Sequence, residues 1–304
     1  MPQKNRKNIH KTRTKQNMPQ KKSHENVLAG MIVLITLILF AGNSSESTVK
    51  NSPITSPVFP PEKSIEKIEN IKKYEKIISP ILMYHYIRDY KNKKDPIGIG
   101  LSIAPEVFEQ QLQIIQDEGF RAITLNDLKM AWAGKKSLPE KKIILTFDDG
   151  YEDFYTAAFP LLKKYNMRAT VYMIANKIDK PGYLSSQQLK ELDWSGLVTI
   201  ASHGLNHVNF YTLPREKLEG EMQESKKILE NLLEHKIKHF AYPVGAYDKR
   251  IKTEAEKAGY ATATLTDYGY IHEEKNRLAL ARVRVQGGIS SEKFKSLLIL
   301  GLVE

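Results

Sequence analysis

Two clusters of ligand-type side chains stand out in a chain of 304 residues that contains no cysteine. The first is Asp148-Asp149-Gly150, which closes the apolar run KKIILTF. Successive side chains on an extended segment point to opposite faces, so two adjacent carboxylates meet in one site only where the strand ends and glycine turns the chain. Held close together, they repel unless a cation or a proton separates them. Asp-Gly is also a common turn pair, and the dipeptide alone is ambiguous. The second cluster is His203 and His207, four apart, directly after LVTIAS. A helical turn entered at this point puts both imidazoles on one face, where they can chelate one metal ion. With no thiolate available, a metal has to be held by His and carboxylate. A His, His, Asp set leaves coordination positions for water and substrate, the pattern of a catalytic site and not of a closed structural one.

A third residue is harder to place. His85 lies inside SPILMYHYIR, a strand-like apolar run over 79–88. A lone histidine in such a run is more often a hydrogen-bonded core residue than a reagent.

The elements that must position these residues alternate along the chain. Strand-like runs PILMYHYI, KKIILTF, RATVYMIA, LVTIAS, KHFAYP and LALARVRV are separated by helical patterns PEVFEQQLQIIQDEG, FYTAAFPLLKKYN, SSQQLKELDWSG and REKLEGEMQESKKILENLLEH. Alternating β and α predicts a parallel sheet, and this many units favour an α/β barrel over an open sheet. Catalytic residues of such barrels sit at the C-terminal strand ends, where both clusters fall. There is no internal repeat and no second catalytic domain within 79–304.

The net charge of +11 is uneven. Residues 1–26 hold eight Lys/Arg against one Glu, so seven of the eleven net charges belong to this tail and not to a nucleic-acid-binding surface. The tail precedes VLAGMIVLITLILFAG, residues 27–42, a run without charge. It predicts a transmembrane signal anchor or a signal peptide, with the basic end cytoplasmic and everything after it exported. Ser, Thr and Pro over 43–62 predict a disordered linker. Residues 63–78 carry isoleucines every three to four positions and predict an amphipathic helix packed on the domain that follows.

LTFDDGY, ASHGLNHVNF and FAYPVGAYD together resemble, in order and spacing, the first three motifs of the polysaccharide deacetylases with a NodB-type domain, over roughly residues 80–285. The resemblance implies a distorted (β/α) barrel and metal-dependent hydrolysis of acetamides on an N-acetylated glycan. It implies Asp148 as general base and Asp149, His203 and His207 as ligands to a divalent metal, zinc first and cobalt, nickel or iron as alternatives. Two departures matter. Gly204 and Val208 stand where the family usually has Ser or Thr and Pro. Ala241, Tyr242, Pro243 and Val244 replace the usual Arg-x-Pro-Tyr, so the arginine that orients the base is missing, and Arg282 and Arg284 on LARVRV are its candidate substitutes. The family's last motif supplies a histidine near the C-terminus, but the only one available, His272, lies outside any matching context. In the subgroup that resembles the biofilm poly-N-acetylglucosamine deacetylases, the barrel is circularly permuted and that histidine precedes TFDDG. His85 fits the place.

The expected chemistry is polarisation of the acetamide by the metal, proton removal from water by Asp148 and proton delivery to the leaving amine by protonated His85. The oxyanion is shared with a backbone N–H, that of Val244, beside Pro243 and Tyr242. An O-acetyl esterase on acetylated glycans and a non-catalytic glycan-binding relative are the rivals. The expected partners are the glycan and, through the N-terminal segment, a membrane, with the catalytic domain outside the cell; the expected state is a monomer.

Overall fold

The computed structural model describes residues 73–300. Its strands are β1 Lys76–Ile78, β2 Ile81–Tyr84, β3 Tyr86–Ile87, β4 Ser102–Ile103, β5 Arg121–Ala122, β6 Lys142–Phe147, β7 Ala169–Met173, β8 Val198–Ser202, β9 His239–Ala241, β10 Thr262–Tyr268, β11 Ile271–Glu273 and β12 Leu280–Arg284. The helices are α1 Pro96–Leu101, α2 Pro105–Asp117, α3 Leu125–Trp132, α4 Phe159–Lys164, α5 Ser186–Trp194, α6 Arg215–Leu233, α7 Lys249–Lys257 and α8 Ser291–Leu300. Seven strands run in the order β2-β12-β10-β9-β8-β7-β6, and pairing of β2 with β6 closes the ring; β5 pairs with Lys142 and Ile143 at the start of β6. Every pairing in this sheet is parallel. The expected parallel α/β barrel is therefore present.

Side-chain alternation divides each strand between two environments. Leu82, Leu145, Phe147, Val171, Ile200, Phe240 and Val283 face outward onto helices that bring Phe108, Leu112, Leu189, Met222 and Phe294. The opposite parity faces the barrel axis. At its N-terminal end Ile81, Ile144, Tyr172, Ala201, Ala241 and Leu280 fill the interior, plugged by Ile77 of β1 and Trp132 of α3. Carried toward the C-terminal ends, that inward parity reaches His85, Asp148, His203, Arg282 and Arg284.

Three local expectations are revised. Residues 76–78, expected to end an amphipathic helix, form β1, which pairs antiparallel with β11. The cause is tertiary: the Lys76–Ile78 backbone completes a ladder and Ile77 plugs the barrel, which outweighs a three-to-four-residue periodicity. β10 was not expected as a strand, because its alternation is Thr and Ala, with the two threonines at 262 and 264 fully buried. The region around His203 and His207 is not helical, as described below. The basic tail, the apolar run 27–42, the linker and residues 63–72 lie outside the described residues. Among the described residues no helix is long and apolar enough to cross a membrane.

Two histidines away from the clusters are core residues. His239 binds Thr262 Oγ1 (2.8 Å) and His272 binds the Ser79 carbonyl (2.9 Å). Burial lowers their pKa values, to about 3 and about 4 respectively. Both stay neutral in the folded chain while unfolded imidazoles take up protons below about pH 6.5. Stability must therefore fall as pH drops from that value toward 4. Urea unfolding at pH 7 and pH 5 should show a loss of about 2 kcal/mol per such histidine. His272→Gln should lose correspondingly less over the same interval, and an unchanged loss would mean that His272 is already charged in the fold.

Candidate active site

The chain leaves β6 through Asp148 and turns at Asp149 and Gly150, whose φ values are 74° and 76°. Gly150 is required here, since a Cβ would lie 2.1 Å from Met173 Sδ. Asp149 adopts the left-handed region at a cost of roughly 1–2 kcal/mol. That turn rotates the second carboxylate, which a straight strand would send outward, toward the same opening as the first.

Asp148 is held by Arg282. Nη1 and Nη2 donate to Oδ1 and Oδ2 at 2.6 and 2.7 Å. Arg282 is itself fully buried, and its remaining side-chain hydrogen bonds are Nε to Leu265 O (2.7 Å) and Nη1 to Thr146 Oγ1 (3.2 Å). The carbonyl of Leu265 lies where the β10–β12 register shifts, between Thr264 and Tyr268. Burial alone would raise the pKa of Asp148, but the charge and hydrogen bonds of Arg282, with smaller effects from His203 and His85, hold it well below the carboxylate range. Arg282 thus holds Asp148 in a chain where Ala241 stands in place of the arginine usual in the third motif. Arg284, one layer further along the same face, makes no side-chain hydrogen bond or ion pair among the described residues.

Asp149 Oδ1 lies 3.4 Å from His203 Nε2 and 3.3 Å from His207 Nε2. The three ligand atoms fall within 4.8 Å of one another. Two ligands bound at about 2.1 Å to a tetrahedral ion stand roughly 3.4 Å apart, so the spacing suits one divalent cation. A second observation agrees: Asp149 Oδ1 is buried without a hydrogen-bond partner, a costly state unless a cation completes it. His203 Nδ1 lies 2.8 Å from Ala241 O, so this nitrogen carries the proton and Nε2 is left as the ligand. Burial lowers the pKa of His203, but the closeness of Asp149 Oδ1 to Nε2 and the two carboxylate charges outweigh it and raise it. His207 is lowered by burial and by the charge of His203. The residues present fit zinc, cobalt, nickel or iron, all of which accept imidazole and carboxylate.

The segment between the histidines is an irregular loop, with φ 79° at Gly204 and 59° at His207. The two imidazoles converge through these left-handed residues and not through a helical turn.

His85 follows β2, which lies between β12 and β6, and the Asp148 N–H donates to the neighbouring Tyr84 O (3.0 Å). Burial lowers the His85 pKa, the charges of Asp148 and Asp149 oppose the shift, and Arg282 and Arg284 reinforce it. Next to it Tyr86 stacks on Tyr151 (3.7 Å between centroids), and the Arg88 guanidinium covers the Tyr86 ring at 3.5 Å. These aromatic rings wall one side of the site.

Of the motif-three residues, Pro243 packs near the loop, 3.5 Å from the point where a Gly204 Cβ would stand. Val244, at φ 51°, is 57% exposed beyond the end of β9. Tyr242 is corrected: its parity is outward, it is buried among the helices, and its hydroxyl donates to Leu278 O (3.0 Å), so it does not face substrate. Glu221, which belongs to none of the sequence motifs, contacts the loop. Its one signal was a charged residue beside Leu218, Met222 and Leu229 on the buried stripe of α6.

Similarity to known proteins agrees with this geometry. The polysaccharide deacetylase family profile matches residues 135–263. YxkH of Bacillus subtilis, which bears the polysaccharide deacetylase name, is 34% identical over 215 residues, covering 71% of this chain and 74% of its own. The poly-beta-1,6-N-acetyl-D-glucosamine N-deacetylase of Staphylococcus epidermidis is 29% identical over 68% of this chain and 77% of that protein. The solved structure of the Streptococcus pyogenes deacetylase PplD in complex with acetate matches with a TM-score of 0.67 at 29% identity, covering 73% of this chain and 98% of that one. The chain belongs to the polysaccharide deacetylase family.

Two outcomes test the assignments. His203→Ala or His207→Ala should abolish retention of a divalent metal by elemental analysis, whereas Asp148→Asn should retain it; the reverse pattern between Asp148→Asn and Asp149→Asn would show the carboxylates exchanged. In Arg282→Gln, Asp148 loses the charge that holds its pKa down. A base must be ionised, so the variant's rate should fall with decreasing pH at a higher pH than in wild type. Coincident acid limbs would remove Arg282 from the control of Asp148.

Proposed function

We propose that this chain is a metal-dependent hydrolase that removes N-acetyl groups from N-acetylglucosamine units of an exported polysaccharide, poly-N-acetylglucosamine first and peptidoglycan second. The observation that carries the reading is the juxtaposition of a carboxylate clamped by a buried arginine with an Asp/His/His set whose shared acceptor oxygen lacks a partner. The Staphylococcus epidermidis relative, whose name specifies poly-beta-1,6-N-acetyl-D-glucosamine, supports the first substrate. The exported location rests on the basic tail and the apolar run 27–42.

Asp149, His203 and His207 would hold the metal, which when bound supplies Lewis-acid polarisation of a carbonyl and lowers the pKa of water. Asp148, kept ionised by Arg282, accepts the proton of the attacking water; its two oxygens retain lone pairs beyond those used by the guanidinium. The same clamp fixes where that proton goes, because the carboxylate cannot rotate without breaking two charge-assisted bonds. The exposed turn at Val244 stands where its amide can serve a developing oxyanion. His85 gives a proton to the departing amine, a poor leaving group without it. Its lowered pKa makes it a ready donor once charged and sets an upper pH for activity: the protonated fraction falls as pH rises through that pKa.

Incubation of the zinc-loaded full-length chain with poly-N-acetylglucosamine, peptidoglycan and chitooligosaccharides, followed by mass spectrometry, should show loss of acetyl from an amide of at least one glycan. Release of acetate from ester substrates alone would identify an O-acetyl esterase, and release from none a glycan-binding relative. His85→Gln should slow deacetylation roughly 10²–10⁴-fold and remove the alkaline limb, with much smaller loss on an aryl acetate, whose phenolate leaves without an acid. Equal losses on both substrates would return His85 to a structural role.

A further inference from the structure

The loop 203–207 cannot satisfy its own peptide groups, since it has neither helical nor strand pairing, so partners must come from outside it. The carbonyls of Gly204 and Leu205 accept from Ala175 N and Asn176 N, just past the end of β7, at 3.0 Å each. The amide of Gly204 donates to Ser202 Oγ (3.2 Å), which in turn contacts Ser225 Oγ on α6 (2.9 Å). The next two amides, of Leu205 and Asn206, both donate to a single oxygen, Glu221 Oε2, at 2.9 Å each. Asn206 Nδ2 donates to the other oxygen, Oε1, at 2.6 Å, and Asn206 Oδ1 accepts from Asn176 Nδ2 at 2.6 Å, which fixes the orientation of that amide.

Glu221 is 6% exposed and has no ion pair among the described residues. Its neighbours on the same helix stripe, Leu218 and Met222, are fully buried apolar residues. For packing alone another such residue would serve better, because a buried carboxylate with no cation beside it is expensive. What the carboxylate does is accept three N–H groups from the residues that separate the two histidines.

We propose that Glu221 is a positioning residue for the metal centre: by clamping 205–206 it holds the loop in the left-handed shape that brings the Nε2 atoms of His203 and His207 to the shared oxygen of Asp149. The inference rests on the metal-dependent reading above. Gly204 and His207 both occupy positive-φ backbone, and the loop carries no regular hydrogen bonding, so nothing within it selects this shape over others. The clamp does, from a 19-residue helix packed on the barrel. It also puts a negative charge behind the peptide that links the two ligands to a cation. Outer contacts of this kind typically change metal affinity roughly 10–100-fold.

The test uses full-length wild type, Glu221→Gln, Asn206→Ala and His207→Ala, stripped with a chelator and titrated with Zn²⁺ against a chromophoric competitor, with thermal unfolding of each metal-free protein. Gln keeps the size of the side chain but turns an NH₂ toward a donor, whereas Asn206→Ala removes one exposed arm of the clamp. Glu221→Gln should weaken zinc binding roughly 10–100-fold and Asn206→Ala less, with metal-free melting temperatures near wild type. Zinc affinity of Glu221→Gln within about threefold of wild type, below the effect of a ligand-positioning contact, overturns the proposal, whatever happens to its melting temperature. If Glu221→Gln does not fold, Asn206→Ala decides by the same threshold. Wild-type zinc binding lost in His207→Ala but kept in Glu221→Gln removes only this inference. No zinc binding by wild type, or unaltered binding by His207→Ala, removes the metal reading and the inference together.

Discussion

A bidentate ion pair buried inside a closed barrel is the interaction on which the rest of the site depends. Arg282 enters from β12 and Asp148 from the end of β6, so the pair reaches across β2, the strand between them. A guanidinium taken out of water in this way is tolerable only if nearly all its donors are used, and here Nε, Nη1 and Nη2 all find acceptors. The consequence reaches beyond the two residues. The pair ties together the ends of the strands that deliver Asp148, Asp149 and His85, and it keeps one carboxylate charged in a place where burial would otherwise neutralise it.

The barrel supports this arrangement by grading its interior. The N-terminal end is largely apolar and plugged by Ile77 and Trp132, while Thr146 and Thr264 are inward positions that precede the charged residues. An unbroken apolar interior would have left Arg282 without its threonine acceptor. An open polar interior would have let water screen the attraction that depresses the pKa of Asp148. The irregularity in β10 belongs to the same solution, since it coincides with the carbonyl that receives Arg282 Nε.

The ligand side of the site obeys a different constraint. Histidines four apart on a helix would be positioned by the helix itself, but here the intervening chain is irregular and its shape is imposed from β7 and α6. His203 is fixed by the Ala241 carbonyl on the neighbouring strand. Both histidines are therefore oriented by elements distant in sequence, and the candidate site's geometry is a property of strand and helix packing more than of the motif that contains them.

Much was nevertheless legible in the sequence. Adjacent carboxylates at a glycine-turned strand end, two histidines at another strand end and the absence of cysteine are local facts that confined a metal to His and carboxylate. Alternating β and α patterns were enough for a parallel barrel, because periodicity reports which face of an element is buried. Strand parity even placed Arg282 and Arg284 on one face, yet it could not separate them: they lie two residues apart, and only the register of β12 against β2, and of β2 against β6, decides which layer meets Asp148. Register is a property of barrel closure and leaves no mark within five residues of β12. The same reason hid the outward turn of Tyr242, the strand at 76–78 and the reach of Glu221, since each depends on a partner brought near by the fold and not by the chain.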